Sequence, residues 1–522
     1  MKKFLLLLLI SASPLAAAPP DNFDARVEAL RKSQGVPGMA IAIVENGKTT
    51  LARGFGVRKL SAPEQVDGDT IFLTGSTGKA VTAVALATLV DAGKLGWDNK
   101  VIDHIPGFQM YDPWVTREMT VRDLLVHRSG LGLGAGDLLF VPRSNLSRAE
   151  TVKRLRYIKP ATSFRSGYAY DNILYMVAGQ LVEEVSGKRW EDYVRDRVFR
   201  PLGMNRSTAD NDARFQTPNR AFPHARLNGG LRGLGDQILL DERDELGRNA
   251  APAGGLAVSA NDMAKWLQVQ LGRGEIPGSP RLFSETAAAE MWTPHTIEPI
   301  SPAPAGLEGT QPNFQTYALG WEVRDYAGAK IIWHAGGVFG FVTTVVLIPE
   351  RNVAFAVMLN SEDSHVRLGL MYELIDHYLD RPSQDWPARF AQVRQKRLAD
   401  ALIAIQKQAA APVRSASSLP LVQYAGVYKD PWYGRIEIAA DTKGLTIDFK
   451  STPKMAGRLQ HWQFDSFITQ FADKAIEPAF VTFTLDADGK IERVRMKPVS
   501  PIADFSWDYQ DLDFTPERRE RK

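Results

Sequence analysis

Two blocks of strand-forming sequence stand on either side of a long helical stretch, and any fold of this chain has to accommodate both. The first, GMAIAIVENGKTTLARGFG at 38–56, turns at Asn46-Gly47, a dipeptide suited to a two-residue hairpin. The second is KIIWHAGG at 330–337 followed by FVTTVVLIPERNVAFAVMLNS at 341–361, with a turn at Glu350 to Asn352. Two-stranded units are marginal in water, so the economical solution is one antiparallel sheet assembled from both blocks. Helices flank it and a helical region is inserted in the middle, an α+β architecture.

The intervening pattern is mainly helical, as in MTVRDLLVHRSGL, NILYMVAGQLVEEVSG and SANDMAKWLQVQL. Thr120 with Asp123 and Ser259 with Asp262 have the spacing of capping boxes that start two of these helices. Phe23 to Lys32 also has helical periodicity. Trp386 to Gln408 reads as a helix with Leu398, Leu402 and Ile405 on one face, and AAAPVRSASSLP after it reads as a linker. Beyond the linker, GRIEIAADTKGLTIDF and AFVTFTLDADGKIERVRM alternate with period two around turns at Asp441–Gly444 and Asp486–Gly489, predicting a small all-β barrel or sandwich. The expected organisation is a leader at 1–18, a main domain at 19–385, a helix and linker at 386–418, a β domain at 419–516 and a charged tail at 517–522.

The leader, MKKFLLLLLISASPLAAAPP, has two lysines, an apolar core from Phe4 to Ile10 and small residues at Ala16 to Ala18, as a secretory signal does. Its apolar core is shorter than the roughly 20 residues a membrane span needs, so no stable membrane insertion is expected after its removal. The expected location is a periplasm or the extracellular space. The 522 residues contain no cysteine, which excludes disulfides and thiolate metal sites. Lys and Arg number 63 against 60 Asp and Glu, a balance with no electrostatic footprint for nucleic acid. The expected partner is a small peptide or ester substrate; oligomeric state is left open.

The chemistry begins in IFLTGSTGKAVTAVALATLVDAG, residues 71–93, where a short β run passes through Gly75 into an apolar helix. A phosphate loop would need a glycine at Leu73 and a Ser or Thr at Ala80, so that reading fails on spacing. What remains is Ser76 with Lys79 three positions on, close enough on one helical face for an amine to reach a hydroxyl. A serine here also serves as an ordinary N-cap. Ser451-Thr452-Pro453-Lys454 repeats the spacing, but its proline and its β surroundings make it a decoy. Two more stretches add weight: Tyr170 and Asn172 at the entrance of an amphipathic helix whose buried side is marked by Ile173, Val177 and Leu181, and His334-Ala335-Gly336-Gly337 at the end of a β run. Tyr168 and Tyr175 suit core or rim positions, and His127 a packing or capping role. No histidines fall in metal-ligand spacing, and no cofactor is expected.

In this order, Ser-x-x-Lys, Tyr-x-Asn and His-x-Gly resemble the motifs of the penicillin-recognising serine hydrolases, which include class C β-lactamases, D,D-carboxypeptidases, D-aminopeptidases, related esterases and a peptidase of linearised microcystin. TVRDLLVHRSGL, PAGGLAVSANDMAKWL and YALGWEV also look like segments of that family, so the resemblance spans about residues 23–380, and the tail resembles the lipocalin-like barrel of some members. The resemblance implies a β-lactamase/transpeptidase-like fold. It implies Ser76 as nucleophile, Lys79 as proton partner, and Tyr170 as base and then acid, its phenol acidified by the nearby ammonium. Asn172 would orient Lys79 and the substrate amide, and His334 would donate a hydrogen bond to substrate. Gly336 would permit close approach, and the N–H groups of Ser76 and Gly337 would form an oxyanion hole.

Departures are also visible. His334-Ala335-Gly336 replaces the Lys-Thr-Gly common in β-lactamases, removing a permanent cation, and Pro160-Ala161 stands where Pro-Gly is usual. RLNGGLRGLGDQILLDERDELGRN is a polar insertion before Pro252, read either as a specificity element or as a solvated loop. The expected activity is an exported serine hydrolase forming an acyl-enzyme on Ser76 and cutting short peptides, D-residue peptides among them. The alternatives are a carboxylesterase with the same site and a penicillin-binding sensor or weak β-lactamase.

Overall fold

The computed structural model describes residues 18–243, 246–410 and 415–517. The expected leader, apart from Ala18, and the tail beyond Glu517 lie outside the described residues.

Helix α1 (Phe23–Ser33) buries Phe23, Val27 and Leu30. Strands β1 (Gly38–Glu45) and β2 (Lys48–Gly56) form the expected hairpin, with Asn46 and Gly47 at φ 51° and 73°. All eight residues of β1 are buried, because helices cover both of its faces. Helices α2 (Lys79–Asp91), α3 (Ile173–Ser186) and α4 (Ala260–Leu271) follow. Then come β3 (Thr296–Ile297), β4 (Gln315–Tyr317), β5 (Glu322–Tyr326), β6 (Ala329–Val338), β7 (Phe341–Ile348) and β8 (Val353–Leu359). The sheet runs β2-β1-β8-β7-β6-β5-β4-β3, so the two strand blocks join at β1 and β8, in register from Met39↔Leu359 to Glu45↔Val353. Helices α5 (Ser364–Tyr378) and α6 (Trp386–Ala410) complete the layer begun by α1, with Ile41, Phe355, Leu370 and Trp386 in one core. On the other face, Ala42, Val345, Leu86, Val177 and Leu267 share the second core.

The C-terminal region is a closed barrel of β9 (Gly426–Asp430), β10 (Gly434–Asp441), β11 (Gly444–Phe449), β12 (Ala456–Gln463), β13 (Ser466–Phe471), β14 (Ala479–Leu485), β15 (Ile491–Pro498) and β16 (Asp513–Pro516). It is anchored on the main domain. Asn145 donates its N–H to Ser451 O at 2.9 Å, and Arg154 donates to the carbonyls of Trp432 and Tyr433 at 2.8 and 2.5 Å. No helix among the described residues is long and apolar enough to cross a membrane.

Three local expectations are corrected. MTVRDLLVHRSGL holds only a 3-10 turn, Arg122–Leu124. Thr120 and Asp123 do cap one another, with Thr120 N and Oγ1 donating to Asp123 Oδ2 at 3.0 and 2.6 Å. The buried carboxylate also draws in Arg128 and Arg165, and His127 at φ 54° turns the chain out of helical geometry. Helix α3 is not buried on one side alone: Leu174, Tyr175, Met176 and Val182 are buried with Ile173, Val177 and Leu181. The insertion at 226–249 is not a free loop. Leu231 packs on Leu398 and Ala401 of α6, while Arg232 grips Glu362 at 2.8 and 2.5 Å and donates to Ala475 O of the barrel at 2.8 Å.

Candidate active site

Ser76 rides on a 3-10 turn, Gly75–Gly78, that leads directly into α2. The strand before it, Phe72–Leu73, is held by Ala257–Val258, which fixes the turn against the sheet. Gly75 has φ 53°, and a Cβ there would stand 2.6 Å from the Gly337 nitrogen of β6. The hairpin of β6 and β7 closes at Val338↔Phe341, so by antiparallel alternation the N–H of Gly337 points away from β7 and toward that turn.

Helix α2 is buried on all sides over most of its length, as its composition demands, and carries Lys79 at its first position. The ammonium is completely buried and all three donors are used: Ser76 Oγ at 3.1 Å, Asn172 Oδ1 at 2.6 Å and Ala253 O at 2.9 Å. Burial pushes Lys79 down to about 7 against the opposing pull of the Asp137 and Asp171 carboxylates. The positive end of the α2 macrodipole further disfavours a cation there. Neutral amine is therefore a populated form at neutral pH.

The Tyr170 side chain faces Ser76 across the same cavity, and Lys79 Nζ lies 4.8 Å from the Tyr170 ring centre. Its phenol is not acidified. Desolvation drives it well above the ordinary tyrosine value, a stronger effect than the nearby Ser76 hydroxyl, which favours ionisation. His127 supports the ring from behind, its imidazole 4.2 Å from Tyr170 and its Nδ1 accepting the Asp171 N–H at 3.1 Å. This is the expected packing role. Tyr175 is core, its hydroxyl donating to Leu125 O at 2.7 Å, whereas Tyr168 lies at the rim.

Asn172 is used at both ends. Its Oδ1 holds Lys79, the expected orienting role, and its Nδ2 donates to Asp137 Oδ2 at 2.9 Å. Burial raises Asp137 to about 7, opposed by hydrogen bonds from Ser506 and Asn172 and by Lys79. His334 is likewise engaged. Its Nδ1 faces Ala335 O at 2.6 Å and must donate, leaving Nε2 to accept from the Tyr317 hydroxyl at 2.7 Å. Burial pushes His334 down to about 3, so it is neutral and has no free N–H for a ligand, contrary to the expected donor role.

Ser76, Tyr170, Asn172, His334, Gly336 and Gly337 all line one cavity of about 820 Å³, with Lys79 buried behind Ser76. All seven residues singled out in the sequence are thus gathered in one place. Asp137, Tyr317 and the barrel residues Phe505 and Ser506 also stand at the site without a motif in the sequence to mark them. Asp137 carried a signal, a lone carboxylate in the apolar run GAGDLLF; Tyr317 sat inside a segment read as structural; the barrel pair carried none. Among the described residues no His/Asp/Glu group has the arrangement of a metal site.

Comparison with known proteins shows the family and the fold. Residues 23–380 match the Beta-lactamase family, and 410–516 match a domain of unknown function, DUF3471. "Unguisins hydrolase ungD'" of Aspergillus campestris is 30% identical over 427 residues, spanning 78% of this chain and 75% of that protein. "Penicillin-binding protein 4" of Amycolatopsis lactamdurans is 30% identical over 348 residues, 65% of this chain and 84% of its own. The solved structure of the octameric penicillin-binding protein homologue from Pyrococcus abyssi superposes with a TM-score of 0.58 at 20% identity, covering 91% of this chain and 97% of that one. The chain belongs to the beta-lactamase family of serine hydrolases.

Proposed function

We propose that the protein forms an acyl-enzyme on Ser76 and acts as an exported peptidase or amidase on short peptides, D-residue peptides among them. The observation that carries this reading is the 3.1 Å approach of a fully buried Lys79 amine to Ser76 Oγ. Neutral Lys79 takes the Ser76 proton as Oγ attacks the carbonyl. The developing oxyanion is met by the N–H groups of Ser76 and Gly337. Tyr170, whose phenol stays protonated, relays a proton to the leaving nitrogen, and water then cleaves the acyl-enzyme by the reverse relay. Amides need that leaving-group proton more than esters do.

A peptide also suits the free edge of β6. Strand β5 pairs only with residues 329–333, leaving Ala335 to Val338 open on the cavity side for an extended chain to add as a strand. The neutral, internally bonded His334 offers no cation to the carboxylate of a β-lactam, which weighs against efficient β-lactam hydrolysis. Export is proposed on Lys2, Lys3, the Phe4–Ile10 run and the small residues before Pro19.

A fluorophosphonate probe, read by intact mass, should label the wild type and spare Ser76→Ala, with Lys79→Ala and Tyr170→Phe folded but nearly unlabelled. Labelling of Ser76→Ala would overturn the nucleophile assignment. A panel of D- and L-aminoacyl anilides beside nitrophenyl esters separates peptidase from esterase; faster turnover of every ester than of any anilide would remove the peptidase reading. The acyl-sensor alternative draws on the likeness to the penicillin-binding protein, and a long-lived β-lactam adduct in the same mass measurement would favour it.

A further inference from the structure

We propose that Ser506, carried by the C-terminal barrel, is a positioning residue for Lys79, acting through Asp137 and Asn172. The segment between β15 and β16 leaves the barrel and enters the main domain. Its Phe505 ring meets Tyr170 edge-on at 5.7 Å. Asp508 accepts the N–H groups of Gly136 and Leu138 at 2.7 and 3.0 Å, clasping the turn that bears Asp137. Between these two anchors, Ser506 Oγ donates to Asp137 Oδ2 at 2.7 Å. The same oxygen takes Asn172 Nδ2 at 2.9 Å, and Asn172 Oδ1 takes Lys79 Nζ at 2.6 Å. Three hydrogen bonds therefore lead from the barrel to the amine beside Ser76.

Asp137 is buried and its Oδ1 has no hydrogen-bond partner, so the donors on Oδ2 hold its position and favour its charge against the effect of burial. Asp504 lies near enough to repel that charge, while Ser506, Asn172 and Lys79 favour it; Asp137 in turn opposes ionisation of the buried Asp508. Lys79 in turn is faced by Asp137 and Asp171, by the imidazoles of His127 and His334, and by the rings of Tyr170 and Tyr175. Removing the Ser506 hydroxyl weakens ionisation of Asp137, withdraws a negative charge from the amine, and lets Lys79 lose its proton at lower pH.

The inference rests on Lys79 being the proton acceptor for Ser76, and the test separates the two. The readout is the pH dependence of fluorophosphonate labelling of the full-length protein. Loss of labelling in Lys79→Ala tests the first reading alone. Ser506→Ala should move the acid limb of the labelling rate downward by about half a pH unit, and on an Asp137→Asn background it should move nothing further. The near-isosteric pair Ser506→Thr and Ser506→Val guards against misfolding: the threonine variant should keep the wild-type limb and the valine variant should shift it. An unmoved limb in Ser506→Ala and Ser506→Val, or an equal shift on the Asp137→Asn background, would overturn the inference.

Discussion

A Cβ on Gly336 would stand 2.0 Å from the carbonyl oxygen of Thr74, so β6 and the turn bearing Ser76 meet backbone to backbone. The same Cβ would lie 2.4 Å from Thr343 Oγ1, which itself bonds Thr74 O. There is no flexible atom to move aside. Gly337, one residue on, has nothing within 4 Å of its Cβ position.

Gly336→Ala should therefore push the strand away from the turn, costing about 1–3 kcal/mol of stability as overpacking does and at least about 100-fold in acylation through misplaced donors. Gly337→Ala should keep the wild-type melting temperature. Thermal melts of the two variants, beside probe labelling, check the contrast. Equal melting temperatures would mean that the backbone contact carries no constraint.

Lys79 gives a pH signature in stability. Its folded value near 7 lies far below the ordinary 10.5, so between those values the unfolded chain binds more protons than the folded one. Stability then rises with pH from about 7 to about 10.5, and the penalty of the buried ammonium is fully present below 7. Lys79→Met should be inactive yet more stable at pH 6 by an amount on the order of a few kcal/mol, the advantage fading as pH approaches 10. Denaturant titrations at several pH values measure this; a constant difference across that range would contradict it.

The imidazoles act at the acid end. Burial holds His334 near 3, His295 and His365 near 4, and lowers His127 as well, all from an ordinary 6.5. Each takes up its proton more readily when unfolded. The histidine contribution to stability should fall as pH drops from 6.5 toward 4, opposed over the same range by the Asp137 and Glu298 carboxyls that burial raises to about 7, and His334→Asn should make the decline toward acid less steep than in wild type. Melting temperatures across the range decide it, a parallel curve counting against the buried-neutral histidine.

Much of the framework was legible in the chain. The Asn46-Gly47 hairpin and the β-rich runs at 330–361 specified a shared sheet because short-range turn chemistry and strand propensity agreed. Ser76 and Lys79 were readable because three positions on a helix always bring two side chains together. The hold of Asn172 on Lys79 followed from the family resemblance, but its second bond to Asp137 and the engagement of His334 by Tyr317 did not, since only the folded chain brings those partners near. The TVRDLL segment misled because Asp123 bonds two arginines more strongly than local propensity favours a helix. Ser506 lies 369 positions from Asp137, and nothing in a serine's neighbours announces a contact at that separation.

Asp508 provides the sharpest test of how firmly the barrel is tied to the site. Its two carboxylate oxygens satisfy the N–H groups of Gly136 and Leu138, both inside the structure, and the carboxyl itself is fully buried beside Asp137. Asp508→Ala leaves those two donors without partners, and an unsatisfied buried donor costs about 1–3 kcal/mol. It also removes a carboxyl whose ionisation burial and the neighbouring Asp137 both oppose, which returns part of the loss. The net expectation is a destabilisation of about 1–3 kcal/mol together with slower labelling of Ser76, because the turn carrying Asp137 loses its clasp. Asp508→Asn, which keeps one acceptor oxygen, should fall between wild type and alanine in both measurements. If Asp508→Ala melted and reacted like the wild type, the barrel would be a passenger on the main domain and the hydrogen bonds between them would have no bearing on Lys79.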